Sequence, residues 1–195
     1  MREQNLPETR ARNAAATREA ILTSASIAFS RAGYDGVGLR EIGQGAGVSG
    51  ILVNRYFGTK EALFTEVVER MLSARVYMRD AQGDIARHAA QQLVDRMRNT
   101  PDNTIDSGDS ALLIVHSSSS PQAVAIIRAA LDKYYDRPLA KALNVANAGE
   151  RGDLFLAMIS GFQMMQKVLG APGITGADNA KLIARLTRIF EAILE

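Results

Sequence analysis

Asn54 and Arg55 stand side by side in a short apolar stretch, with Ser49 and Gly50 just before it and Lys60 just after it. An asparagine amide pairs two hydrogen bonds with adenine, and an arginine fork does the same with guanine, so this pair has the chemistry for reading base edges. Ser49 suits a base or a phosphate, while Tyr56 and Lys60 carry donors for phosphate oxygens, which fix orientation without naming a base. Gly50 permits close backbone approach, Ile51 follows it on the same surface, and Arg40 is a further cation within reach of a groove edge. Taken singly, an exposed arginine is more often solvated or ion-paired. The assignment therefore rests on the segment as a whole.

Those side chains act together only if residues 39–57 fold as two short helices crossing at a steep angle, which needs a small contact and a turn that tolerates positive φ. Gly43 is small where the helices would meet, Gly47 falls in the turn, and Ile42, Ala46, Val48 and Val53 supply the apolar lock. Leu39, Ile42 and Ala46 recur at helical intervals, and Ser49 is a natural N-cap for the second helix, about 49–57. A preceding helix over about 17–32 places Ile21, Leu22, Ala25 and Phe29 on one face and ends at Gly33. A following helix, capped by Thr59, carries Leu63, Phe64, Val67, Val68, Met71 and Leu72.

Further helices are expected at about 82–98, 108–117, 121–136, 138–145, 150–169 and 177–194, the last opened by Thr175 with Asp178 as an acidic capping box. Residues 170–176 read as a long turn, and residues 1–13, polar and containing Pro7, as a flexible arm. No period-2 run of β-branched residues signals a strand. The expected fold class is all-α, with about nine to ten helices.

Composition narrows the function classes. The chain has 195 residues, 47% of them hydrophobic, and no cysteine, which excludes disulfides, thiolate metal sites and cysteine nucleophiles. Its net charge of +2 is too small to imply a nucleic-acid partner. Residues 1–60, however, hold eight basic and five acidic groups, against fifteen and sixteen in the remainder. Neither a signal peptide nor a membrane-length apolar run is visible, so a cytoplasmic protein with no membrane association is expected. His88 and His116 lack the spacing of a metal site, Ser117–Ser120 lacks a nucleophile elbow, and Gly43–Gly47 lacks the strand and lysine of a phosphate loop. No metal, no cofactor and no catalytic residue are expected, and the chain is not expected to be an enzyme.

The run Ile21-Leu22, Phe29, Gly33-Tyr34, Leu39-Arg40-Glu41-Ile42, Ala46-Gly47-Val48-Ser49 and Tyr56-Phe57-Gly58-Thr59-Lys60-Glu61-Ala62-Leu63-Phe64 resembles the DNA-binding domain of the TetR family over about residues 15–65. The resemblance implies a homodimeric regulator whose three-helix helix-turn-helix head, residues 1–62, binds a palindromic double-stranded operator. It also implies a helical body, residues 63–195, that holds a small-molecule effector and dimerises through its last two long helices. Two departures stand out. Gly38 occupies a position where the family usually has a capping Ser or Thr, and Ile51-Leu52-Val53-Asn54 replaces the family's frequent Gly-Thr-Leu-Tyr.

In the body, an apolar stripe on the penultimate helix and another on the last place Leu154, Met158, Phe162, Met165, Leu182, Leu186, Ile189, Phe190 and Ile193 at an expected dimer interface. Pairing of the two helices within one chain is the plainer alternative. Met97, His116, Phe155, Met158 and Phe162 are candidate ligand contacts, since methionine and aromatic side chains line adaptable pockets. Three functions remain open: a repressor released from its operator by a ligand, a regulator without an inducer, and a helical enzyme or lipid-binding module carrying a DNA-binding head.

Overall fold

The computed structural model describes residues 6–73, 84–99, 110–143 and 147–195, and among them every regular element is helical. The first helix, α1, spans Leu6–Ala32. This corrects the expectation of a flexible arm and of a helix starting near Thr17. Pro7 sits in the first turn, where its missing N–H costs no hydrogen bond, and the arginines and alanines of 10–16 are strong helix formers. Residues 1–5 of that arm lie outside the described residues.

Next come α2 (Leu39–Gly45), α3 (Gly50–Phe57) and α4 (Lys60–Ser73), at the expected places. After α5 (Ile85–Asn99), α6 (Ser110–Ser117) and α7 (Pro121–Leu131), a π-helical turn over Asp132–Asp136 leads without a break into α8 (Arg137–Leu143). α9 (Ala148–Gln163) likewise ends in a π-helical turn, Met164–Val168. The expected starts at 82 and 108 and the end at 145 fall on residues that are not described.

The expected turn at 170–176 contains the short helix α10 (Pro172–Thr175), and the last helix, α11, spans Asn179–Leu194. Its N-cap is Asp178, whose carboxylate accepts from the Lys181 N–H at 2.9 Å. Thr175 is not that cap, because α10 has already absorbed it and its hydroxyl donates to the Ala171 carbonyl.

The described residues divide into two compact units, one drawn from 1–71 and 105–127, the other from 72–104 and 128–195. In the first, Ile21, Leu22, Ala25 and Phe29 of α1, Ile42 and Val53 of the crossed pair, and Leu63, Phe64 and Val67 of α4 are all buried. Phe29, Tyr34 and Phe64 form an aromatic knot, with Phe64 edge-on to both partners at centroid distances of 5.0 and 4.9 Å. In the second, α11 packs along α5 and against α9. Small residues of α5, Ala86, Ala89 and Ala90, are buried there with Leu93, Val94 and Met97, and Phe155 meets Phe190 at 4.8 Å. No described helix is long and apolar enough to cross a membrane.

Candidate nucleic-acid interface

Glycine makes the crossing of α2 and α3 possible. A Cβ on Gly43 would lie 2.8 Å from the Val48 carbonyl oxygen, and one on Gly50 would lie 3.0 Å from the Arg40 Cα. The helices therefore touch backbone to backbone at both ends of the turn. Between them Gly47 adopts φ +69, the left-handed conformation that reverses the chain, and the Val48 N–H closes the turn on the Gly43 carbonyl at 2.8 Å. Gly50 is thus occupied in holding α3 against α2.

α3 buries Val53 and Phe57 and turns Asn54 and Arg55 outward, a division that follows from its 3.6-residue period. Arg40, Asn54 and Arg55 are exposed, and among the described residues no hydrogen bond or ion pair engages their side chains. Ser49 accepts from the Leu52 N–H at 3.3 Å, which caps α3 and leaves its hydroxyl able to donate elsewhere. Tyr56 and Lys60 are half-exposed. A shallow groove is lined by Leu39, Arg40, Gln44, Val48, Ser49, Gly50, Ile51 and Asn54, so five of the eight expected contact residues converge on one depression. Gln44 is absent from the sequence-based set. Its signal was available: it lies one turn after Arg40 on α2, and its amide has the same donor and acceptor pair as asparagine.

Lys60 is steered rather than free. Its Nζ lies 4.5 Å from the centre of the Tyr34 ring, an arrangement that favours the ammonium. Burial, reinforced by the negative charge of Glu61, pushes the Tyr34 hydroxyl up to about 12, so the ring stays neutral and donates toward the Glu61 carboxylate. Glu61 is held below its ordinary value by its own backbone N–H, then by Thr59 and by Gln122, whose amide donates to it at 3.0 Å. At Gly38, which begins α2 without a side-chain cap, the space a Cβ would occupy is open.

A second junction lies behind the reading surface. His116 Nδ1 donates to the Ser30 carbonyl at 2.6 Å, the Tyr34 N–H donates to Ser117 Oγ at 3.0 Å, and a Cβ on Gly33 would lie 2.1 Å from the His116 carbonyl oxygen. α6 is thereby bolted to the end of α1. His116 is exposed, with Nδ1 engaged in this joint, and it lies in the first unit, whereas Met97, Phe155, Met158 and Phe162 lie in the second. Of these, Met97, Phe155 and Phe162 are buried.

The expected dimer residues also divide. Phe162, Leu186 and Phe190 are inside the chain, at 5%, 3% and 0% exposure, which corrects their placement at an interface between copies. The reason is that α11 is amphipathic and spends its most apolar edge on α5 and α9. Leu154, Met165 and Ile189 are exposed, and Met158, Leu182 and Ile193 are half-buried.

Two family descriptions match the chain: "Bacterial regulatory proteins, tetR family" over residues 21–67, and "Tetracyclin repressor-like, C-terminal domain" over residues 88–194. The chain belongs to the TetR family. It is a DNA-binding transcriptional regulator, and its helix-turn-helix is the α2–α3 pair. No curated protein matches it significantly. Among solved structures, a TetR-family regulator from Streptomyces coelicolor A3 is 26% identical, with 92% of this chain and 95% of that one covered and a TM-score of 0.54. A candidate transcriptional regulator from Streptomyces coelicolor is 23% identical (90% and 97% covered, TM-score 0.60), and a TetR-family transcriptional regulator from the same organism is 20% identical (91% and 79% covered, TM-score 0.55). These last two establish likeness of fold alone. TetR regulators bind operator DNA and dimerise.

Proposed function

We propose that this regulator is a repressor that reads a palindromic operator through α3 and is released by a small molecule bound in its helical body. The observation that carries the reading is the outward face of α3: Asn54 and Arg55 are exposed and unengaged beside a groove that Arg40 also lines, while Val53 and Phe57 anchor the helix beneath. Asn54 and Arg55 address bases, Arg40 the groove edge, and Ser49, Tyr56 and Lys60 the phosphates. The reading head is residues 1–62, and residues 63–195 bind effector and dimerise.

The two-fold axis runs beside α9 and α11, where Leu154, Met158, Met165, Leu182, Ile189 and Ile193 supply apolar contact. Two heads about 34 Å apart then meet successive major grooves. An effector that binds better to a protomer with displaced heads lowers operator affinity, because only differential affinity moves such an equilibrium. The protein performs no catalysis in this reading.

Fluorescence anisotropy with duplexes from the gene's upstream region tests it. Arg55→Ala is expected to weaken binding by about 1–3 kcal/mol and to relax specificity at one position, while Lys60→Ala weakens all sequences alike and lowers the salt slope by about one. Specific binding that ignores both changes refutes the assignment of the reading face.

A further inference from the structure

Ile51 is 85% exposed, more than any other large apolar side chain among the described residues, the next being Leu169 at 63%. It is the second residue of α3, between the capped turn at Ser49 and the buried Val53, and it lines the same groove as Arg40, Gln44 and Asn54. Leu39 and Val48 also line that groove but are half-buried, while the exposed side chains of Arg40, Gln44, Ser49 and Asn54 can donate or accept hydrogen bonds. Ile51 can do neither, and in water it forgoes the stabilisation that burial of an isoleucine brings.

The major groove presents four base pairs through donors, acceptors and one apolar group, the C5-methyl of thymine. An isoleucine set among polar readers complements that group alone. We propose that Ile51 is a specificity-determining residue that closes over a thymine methyl, on or next to the base pair that Asn54 contacts. The spacing fits, because three residues along a helix advance about 4.5 Å and one base pair about 3.4 Å. The group recognised is a methyl at C5, so 5-methylcytosine satisfies the contact as thymine does, and the regulator's affinity responds to cytosine methylation at that one position. This deepens the reading by α3 proposed above and rests on it.

The test starts by selecting preferred duplexes from random-sequence DNA with the full chain. Each thymine of the selected site is then replaced singly by deoxyuridine, symmetrically in both half-sites, and affinity is measured by anisotropy. One position is expected at which loss of the methyl weakens binding about fourfold per half-site, the equivalent of roughly 0.8 kcal/mol for one CH₂-sized group. At that position cytosine and 5-methylcytosine differ by a similar factor. In Ile51→Ala, which removes an exposed side chain and keeps the wild-type melting temperature, both ratios fall to one while the other positions are unchanged.

Deoxyuridine duplexes that all bind like the parent overturn the proposal, as does a thymine-to-uracil ratio that survives in Ile51→Ala. If no preferred sequence emerges, or if Asn54→Ala and Arg55→Ala bind it as the parent does, the reading by α3 fails and this inference with it. A preferred sequence that depends on Asn54 and Arg55 but ignores the methyl overturns the methyl contact alone.

Discussion

The two compact units leave different surfaces behind. In the first, Ile51 and Val115 are the only exposed large apolar side chains among the described residues, and the outward face of α3 is otherwise polar. In the second, Leu154, Met164, Met165, Val168, Leu169 and Ile189 are all exposed, four of them clustered at the end of α9. Isolated apolar residues on a surface are ordinary, whereas a contiguous set marks contact with another macromolecule. A polar face with one isoleucine suits a wet and charged nucleic-acid groove. A face of Leu, Met, Val and Ile suits a second copy of the same helices.

The adjacent pair Ile189 and Phe190 offers the hardest test of this contrast. Phe190 is fully buried against Phe155, so Phe190→Asp is expected to unfold the protomer: removing such a ring already costs about 3–5 kcal/mol, and a buried carboxylate adds to that. Ile189 is 41% exposed, and Ile189→Asp should keep the helical melt while light scattering reports a monomer. A folded dimer of Phe190→Asp, or an unaltered dimer of Ile189→Asp, breaks the distinction between the inner and outer edges of α11.

Two glycines of the first unit sharpen it next. Both Gly33 and Gly47 adopt positive φ, at +72 and +69, but a Cβ on Gly33 meets the His116 backbone whereas one on Gly47 meets nothing. Gly33→Ala should therefore cost roughly 2–5 kcal/mol, the left-handed strain plus the clash at the α1–α6 joint, and Gly47→Ala only the strain, about 1–2 kcal/mol. Urea midpoints of the two variants decide between them. Equal losses mean that the joint yields.

Smaller effects come from Tyr34 and Gly38. Burial lifts the Tyr34 hydroxyl from 10.0 to about 12, so the folded state holds this proton more tightly than the unfolded chain. The associated stability is fully present below pH 10 and is lost as pH rises through 12. Melting temperatures at pH 9 and 11 should show that loss in the parent and a shallower one in Tyr34→Phe. Smallest is Gly38→Ser. The position has extended backbone and open space, so a serine cap should stabilise the fold by a few tenths of a kcal/mol, up to about 1, seen as a small rise in melting temperature. A fall would mean that Gly38 serves something other than the cap.

Much of the helix-turn-helix is legible in the sequence. The α2–α3 boundaries, the Ser49 and Thr59 caps and the Gly47 turn follow from residues within a few positions of one another. Gly50 was legible only in part. Its small size is plain, but whether the space goes to DNA or to Arg40 depends on how the helices cross. The arm was misjudged because Pro7 argues against a helix only in its interior, not in its first turn. The hydrogen bond of His116 is not legible in the sequence because its partner, the Ser30 carbonyl, lies 86 residues away.

The amino-acid sequence alone determined most of the helices, the helix-turn-helix and the polar outer face of α3, since a 3.6-residue period, a cap and a left-handed glycine are properties of consecutive residues. Only the tertiary structure decided which apolar edge of α9 and α11 is spent inside the protomer, leaving Phe162, Leu186 and Phe190 buried and Leu154 and Ile189 outside. A helix with two apolar edges does not announce which neighbour each will meet. That choice belongs to the packing of segments far apart in the chain.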